Sequence, residues 1–300
     1  MVKIWFIAMR PWSFTAAFVP IALGSALAWA EGTFDIVLFL LALFGGICMQ
    51  AGTNLINTYG DYLSGVDTIE SARTCPQLVT GMLQPDSMKR AGLIAFSLAG
   101  SVGLLLSYLC GPEVLVVGVI GLLGGYCYTA GASPYKYQGL GPLFVFFLMG
   151  PLMAWPAYFI QTGKFNMIPV AASIPIGFLV TGIMHANDIR DIMEDRKAGI
   201  KTVALMLGFG KSVIFHCCLY AAAYVCLIVL ILQGLLPGTA ILPLVLVPMV
   251  ITVLGRAYTA SKGAYEQFSR LEADSAGLHF QFGILLIAGL LVSPYIRWWL

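Results

Sequence analysis

Residues 54–67 read "NLINTYGDYLSGVD" and close a long apolar run with two asparagines and two carboxylates. On a helix Asn54, Asn57 and Asp61 stand three and four positions apart, so they project from one face. Such side chains are costly against hydrocarbon, so that face is expected to line a wet cavity. Asp67 follows Gly65, where the chain is expected to leave the helix.

The chain around this stretch is that of a polytopic membrane protein. Its 300 residues are 59% hydrophobic and only 10% charged, whereas soluble domains carry about 25% charged residues. Crossing a bilayer as a helix takes roughly 20 apolar residues. Nine such segments are predicted, at 13–30, 35–57, 91–110, 113–131, 142–161, 167–187, 212–233, 238–257 and 277–296. The expected fold is all-α, a single domain over 1–300. Lys3 and Arg10 precede the first segment as in a secretory signal, but no small-residue cleavage site leads into a soluble domain, so it is read as a retained helix.

Threading nine spans puts 14 of the 16 basic residues on one side, with Lys164 and Arg297 opposite. By the positive-inside rule that side is cytoplasmic, which predicts a multi-pass protein of the cell (inner) membrane. The long charged connections 58–90, 188–211 and 258–276 lie there too, and function is expected on that face. The seven cysteines show no metal-ligand spacing and read as small buried hydrophobes in a reducing context. No nucleic-acid partner is expected.

A second acidic cluster echoes the first. Asn57 to Asp61 and Asn187 to Asp191 share an N-x-x-x-D spacing at an offset of 130 residues (187 minus 57). Each ends an even-numbered span, which suggests two four-helix halves with a ninth helix appended around a central cavity. Asn187, Asp191 and Asp195 repeat every four residues, with Asp188 one place off that stripe. A solvated helix end explains either cluster alone; two on one membrane side favour a site.

Facing carboxylates repel, and a divalent cation relieves them. Mg²⁺ takes oxygen ligands, often one or two carboxylates together with substrate phosphates, so the pair of clusters reads as a diphosphate-holding metal site. Zinc is disfavoured, because His185, His216 and His279 are scattered and no cysteine pair joins them. Arg73, Lys136, Arg190, Arg196, Lys197 and Lys201 flank the clusters and suit a bound anion. A diphosphate at the lip of an apolar bundle implies a prenyl tail running into the membrane region. Departure of that diphosphate leaves an allylic cation, which the faces of Tyr126, Tyr128, Tyr135 and Tyr137 are placed to stabilise.

These residues resemble the UbiA superfamily of intramembrane aromatic prenyltransferases. "NLINTYGDYLSGVD" looks like its first aspartate-rich motif and "NDIRDIMEDRKAGIKT" (187–202) like its second; "MRPWS" (9–13) and "YTAGASPYKYQGLG" (128–141) are similar to two further segments. The forms N-x-x-N-x-Y-x-D-x5-D, YT-x-G and RD-x3-D-x3-G-x-x-T are most similar to the naphthoate and menadiol prenyltransferase branch. Two departures stand out. The general first motif has Asp where this chain has Thr58 and Gly65, with Asp67 two places later, and the naphthoate branch commonly has a second Asn where this chain has Asp188.

The resemblance implies Mg²⁺-dependent transfer of a polyprenyl group from polyprenyl diphosphate to an aromatic acceptor, 1,4-dihydroxy-2-naphthoate above others, with a cavity open to lipid. It implies Asn57, Asp61, Asp67, Asp191 and Asp195 as metal-holding residues. Asn54, Asn57, Arg73, Lys136, Asn187, Asp188, Arg196 and Lys197 are expected at the diphosphate, and Asp61, Asp191 and Tyr128 at the chemistry. Alternatives are another acceptor (4-hydroxybenzoate, homogentisate, haem or a glycerol phosphate lipid) or a cation or organic-phosphate transporter. A transporter needs polar residues along its whole path, whereas here they gather at one face.

Overall fold

The computed structural model describes residues 1–69, 75–131 and 134–296. Twelve α-helices run in chain order among them: α1 (Val2–Ala8), α2 (Thr15–Ala30), α3 (Ile36–Leu63), α4 (Pro85–Cys110), α5 (Glu113–Cys127), α6 (Gly141–Met149), α7 (Pro151–Thr162), α8 (Ile168–Arg190), α9 (Ile192–Ala198), α10 (Val203–Leu232), α11 (Val247–Ala260) and α12 (Leu271–Ile296). Short 3-10 turns lead into α2, α11 and α12 at Pro11–Phe14, Gly238–Leu246 and Tyr265–Arg270. The described residues form no strand; Gln138 and Lys201 make one isolated parallel bridge.

Among the described residues eight helical stretches are long and apolar enough to cross a membrane. They match eight of the nine predicted spans. The remaining one, predicted over 113–131, is the apolar α5, which stops at Cys127 after 15 residues. The next residues turn against α3, where Gly60 has no side chain and a methyl there would strike the Thr129 carbonyl. The fifth span is two helices, because Gly150 and Pro151 break it: Gly150 packs on the backbone of Phe146 and Gly177, and proline at α7's start supplies no helix-interior N–H.

Helix ends follow local chemistry. Asp35 caps α3 by accepting from the Val37 and Leu38 amides at 2.7 and 3.1 Å. Thr202 caps α10 through the Leu205 amide at 3.2 Å.

The 28-residue α3 is polar inside and apolar outside. Ile36, Val37, Leu40 and Phe44 are exposed, whereas Gln50, Asn54, Asn57, Thr58 and Asp61 are buried. Such an arrangement suits a helix whose outer solvent is lipid. α3 packs chiefly on α4, α8 on α10, and α2 on α7, while α12 lies against α2 and α8.

Small residues let these helices approach closely, as they do in membranes generally. Gly24 of α2 sits against the Ala154 carbonyl and Tyr158 amide of α7, so a side chain there meets backbone that cannot yield. Gly24→Val is expected to lower stability by about 1–3 kcal/mol. An earlier thermal midpoint in detergent checks this; an unchanged midpoint contradicts the packing.

Candidate functional site

The two acidic motifs meet in one cavity of about 1410 Å³. Its wall includes Asn54, Asn57, Asp61 and Asp67 from the first motif and Asn187, Asp188, Asp191 and Asp195 from the second. The same cavity runs along α3 from Asp61 to Ala42 and is walled elsewhere by apolar residues such as Phe96, Leu122, Leu148 and Leu152. Leu93, Leu104, Val119 and Leu123 line it and are also exposed, so the cavity reaches the outer surface of α4 and α5.

α3 ends at Leu63, and Gly65 then turns the chain. Gly65 takes a left-handed φ of 75°, a conformation that favours glycine. The chain then doubles back, and the Val66 and Asp67 amides both donate to the Asp61 carbonyl at 2.9 and 3.0 Å. Asp67, displaced by two positions in the sequence, is thereby returned to the cavity wall.

Asp61 of the first motif and Asp191 of the second are each already paired with a cation. Lys136 donates to both oxygens of Asp61 at 2.9 and 2.7 Å, and the Tyr137 hydroxyl donates to the same group at 2.6 Å. The loop carrying them is anchored twice, by the Tyr135 hydroxyl on the Gly124 carbonyl at 2.9 Å and by the Lys201 amide on the Tyr137 carbonyl at 3.2 Å. Across the cavity Arg190 forks onto Asp191 at 2.7 and 2.6 Å and also donates to Glu272 of α12. Asn187 donates to Glu272 as well, at 3.2 Å.

The remaining acids are less compensated. Burial pushes the Asp195 carboxyl up to about 7, with Asp191 adding to the shift and Lys136 and a 3.1 Å hydrogen bond from Thr202 opposing it. Thr202, the last residue of the second motif, thus both caps α10 and orients Asp195. Burial likewise pushes Asp67 up to about 6; Asp61 adds to this, and Lys136 and Arg10 oppose it. The Asn57 amide nitrogen is buried without a hydrogen-bond partner among the described residues, a donor in need of an acceptor.

Some expectations need correction. Asn54 lines the cavity, but its amide donates to the Met9 carbonyl and the Ser13 hydroxyl, both at 2.8 Å, and so splints the amino-terminal segment. Arg196 and Lys197 are exposed on α9 and do not line the cavity; they follow Asp195 on the far side of a one-turn stripe. Arg73 lies outside the described residues. Tyr126, Tyr128 and Tyr135 line the cavity, whereas Tyr137 is engaged with Asp61. His185 is buried and contacts the Ser212 carbonyl at 3.1 Å. Cys75 is more than a small hydrophobe, since it lines the cavity and accepts from Arg10. Sequence reading missed Arg10, Gln50 and Glu272, and it gave Arg190 and Tyr137 other roles, at a bound anion and at the allylic cation, than the carboxylate contacts they make. Of the three missed, only Arg10 carried a signal, in its place within "MRPWS".

Comparison with known proteins places this geometry. A model of the UbiA prenyltransferase family matches residues 17–270. The chain is 32% identical over 289 residues to a 1,4-dihydroxy-2-naphthoate octaprenyltransferase of Bacillus subtilis (strain 168), covering 95% of this chain and 91% of that one. It is 33% identical over 293 residues to UbiA prenyltransferase domain-containing protein 1 of Homo sapiens, covering 96% and 83%. In fold it is similar to the apo structure of a UbiA homologue from Aeropyrum pernix K1, with a TM-score of 0.70 at 18% identity over 93% of this chain and 97% of that one. A UbiA homologue from Archaeoglobus fulgidus bound to GPP and Mg²⁺ is similar with a TM-score of 0.61 at 15% identity over 95% and 99%.

The raised carboxyls predict a pH dependence. Asp195 is neutral below about 7 and contributes charge to a cation only above it. The ratio of wild-type to Asp195→Asn affinity for Mg²⁺-pyrophosphate is therefore expected to rise as pH increases from 6 to 8, by up to about tenfold. Calorimetric titration of both proteins tests this; a pH-independent ratio contradicts it.

Proposed function

The chain belongs to the UbiA prenyltransferase family, and from that premise we propose that it prenylates 1,4-dihydroxy-2-naphthoate. The donor is a polyprenyl diphosphate, and the products are a demethylmenaquinone precursor, diphosphate and CO₂. The observation that carries this reading is the convergence of two carboxylate motifs on a cavity whose remaining wall is largely apolar. The acceptor rests on the likeness to the Bacillus subtilis octaprenyltransferase.

The residues fit Mg²⁺. The donor set is hard oxygen, Asp67 and Asp195 line the cavity, and Asn57 has a buried amide nitrogen with no hydrogen-bond partner among the described residues, suited to a phosphate oxygen. Among the described residues no three His, Cys, Asp or Glu side chains stand close enough to hold an ion by themselves. Mg²⁺ commonly takes only one or two carboxylates, with substrate phosphates and waters completing its coordination. Asn57, Asp61, Asp67, Asp191 and Asp195 would hold it. When bound, Mg²⁺ supplies charge that stabilises the departing diphosphate.

The protein's own groups supply the rest. Lys136 lies at the edge of the site on Asp61, from where its ammonium can pass to phosphate oxygens. The allylic C–O bond breaks with its electron pair leaving on the diphosphate. The electron-rich acceptor carbon then bonds to the allylic carbon, and its carboxylate departs as CO₂. Tyr128 and Tyr135, with ring centroids 5.4 Å apart, both line the cavity, and aromatic rings there would stabilise that cation. The apolar walls exclude water that would capture it. The bias of basic residues supports a cell-membrane location with the cavity mouth on the cytoplasmic side.

Purified protein incubated with Mg²⁺, labelled geranylgeranyl diphosphate and a panel of aromatic acceptors is expected to yield prenylated naphthol, identified by mass. Product only from another acceptor overturns the naphthoate assignment. Asp61→Ala and Asp191→Ala are each expected to lose at least about 10²-fold in turnover while still inserting and eluting as folded protein. Wild-type activity in either overturns the mechanism.

A further inference from the structure

A break in α10 stands behind the second acidic motif. Gly208 has φ 72° and ψ 168° inside that helix, a left-handed conformation open to glycine and strained for other residues. Among the described residues a side chain there would meet nothing within 4 Å, so the glycine serves the bend and not a close approach. The bend brings the first piece of α10 back beside the rod that follows. Ser212 Oγ donates to the Ala204 carbonyl, eight positions earlier, at 3.0 Å. A helical serine ordinarily reaches the carbonyl three or four positions back, and eight positions of continuous helix span about 12 Å. The contact therefore depends on the break.

Its neighbours tie that contact to the site. On one side His185 of α8 reaches the Ser212 carbonyl through Nε2 at 3.1 Å. A carbonyl only accepts, so Nε2 carries the proton. His185 stands two residues before Asn187, on the helix that carries Asp188 and ends against Asp191. On the other side Ala204 stands two residues after Thr202, whose hydroxyl donates to Asp195 at 3.1 Å. The Lys201 amide, one residue earlier, holds the Tyr137 carbonyl beside Lys136. The rod itself is fixed, because Phe209 stacks on Tyr265 and Phe268 with centroids 4.4 and 5.6 Å away. His185, Thr202, Ala204 and Ser212 are all buried, so solvent does not compete for these bonds.

We infer that Ser212 is a positioning residue, whose carbonyl and hydroxyl together hold the Asn187–Asp191 end of α8 at a fixed separation from the Thr202–Asp195 pair. Ser212 does not line the cavity, whereas Asn187, Asp188, Asp191 and Asp195, the groups it spaces, do. The inference rests on the prenyl-transfer reading and deepens it. Without Oγ the first piece of α10 is released from the rod, and Thr202 no longer keeps the Asp195 carboxylate in one orientation toward the other acids.

A double-mutant cycle tests this, with Mg²⁺-pyrophosphate titrated calorimetrically into purified wild type, Ser212→Ala, Asp195→Asn and the double variant at mildly alkaline pH. Ser212→Ala alone is expected to weaken binding about 3- to 10-fold, the scale of one hydrogen bond. In the Asp195→Asn background the same change is expected to alter affinity by no more than about twofold. A serine that serves stability alone lowers the thermal midpoint but leaves affinity unchanged, or weakens it equally in both backgrounds; either result overturns the inference. If Ser212→Ala does not elute as folded protein, His185→Leu and His185→Gln take its place. His185→Leu is expected to weaken binding by a similar factor, and His185→Gln, whose amide can donate to the same carbonyl, to recover it. Equal affinities in those two variants overturn the inference. If wild type binds Mg²⁺-pyrophosphate but prenylates no acceptor, the broader reading has failed and the cycle still decides the role of Ser212. If wild type does not bind Mg²⁺-pyrophosphate, the inference is overturned as well.

Discussion

Packing many carboxylates into the wall of one largely apolar cavity is the constraint around which this molecule is arranged. Asp61, Asp67, Asp188, Asp191, Asp195 and Glu272 all line it, and each repels the others where little water screens them. The chain answers in two places with a paired cation, Lys136 on Asp61 and Arg190 between Asp191 and Glu272. Asp67 and Asp195 are left with raised proton affinity. A buried pair is strongly disrupted by losing one partner, so these cations act as counterions as well as candidates to meet substrate. The same imbalance makes the cavity receptive to an added divalent charge.

Everything that surrounds this wall serves to hold it. α3 and α8 bring one motif each to the same end of the bundle. The Tyr135–Tyr137 turn carries Lys136 between them, fastened to α5 by Tyr135 and to the segment after α9 by the Tyr137 carbonyl. The amino-terminal turn, pinned by Asn54, closes a third side with Arg10. Opposite the charged end the cavity is apolar and reaches the lipid-facing surface along α4 and α5, which is the shape an amphiphile with an anionic head requires.

Some departures from a simple motif reading have plain geometric causes. Asp67 stands two residues late, yet the left-handed Gly65 reverses the chain and returns it to the wall. Asn54 is on the correct helical face, yet its amide faces the amino-terminal segment, because the first neighbour it meets is the Met9 carbonyl. Arg196 and Lys197 are adjacent to a site residue in sequence and exposed in space, since adjacent helical positions face different directions. Short α5 leaves eight stretches long enough to cross among the described residues, so a count of nine taken from hydropathy is close in number and loose at its ends.

Apolar run lengths, the inward stripe of Asn and Asp, and the doubled motif were readable from residues alone, because helical periodicity and the cost of charge in lipid act locally along the chain. Membrane class, the approximate number of spans and the acidic residues lining the cavity follow from those rules. Which acids carry a cation, which asparagine is a splint, and the recruitment of Arg10, Tyr137 and Glu272 were decided only in three dimensions. These depend on contacts between positions as far apart as Arg10 and Cys75, or Arg190 and Glu272. No spacing rule encodes such pairings, since they are set by how the helices pack against one another.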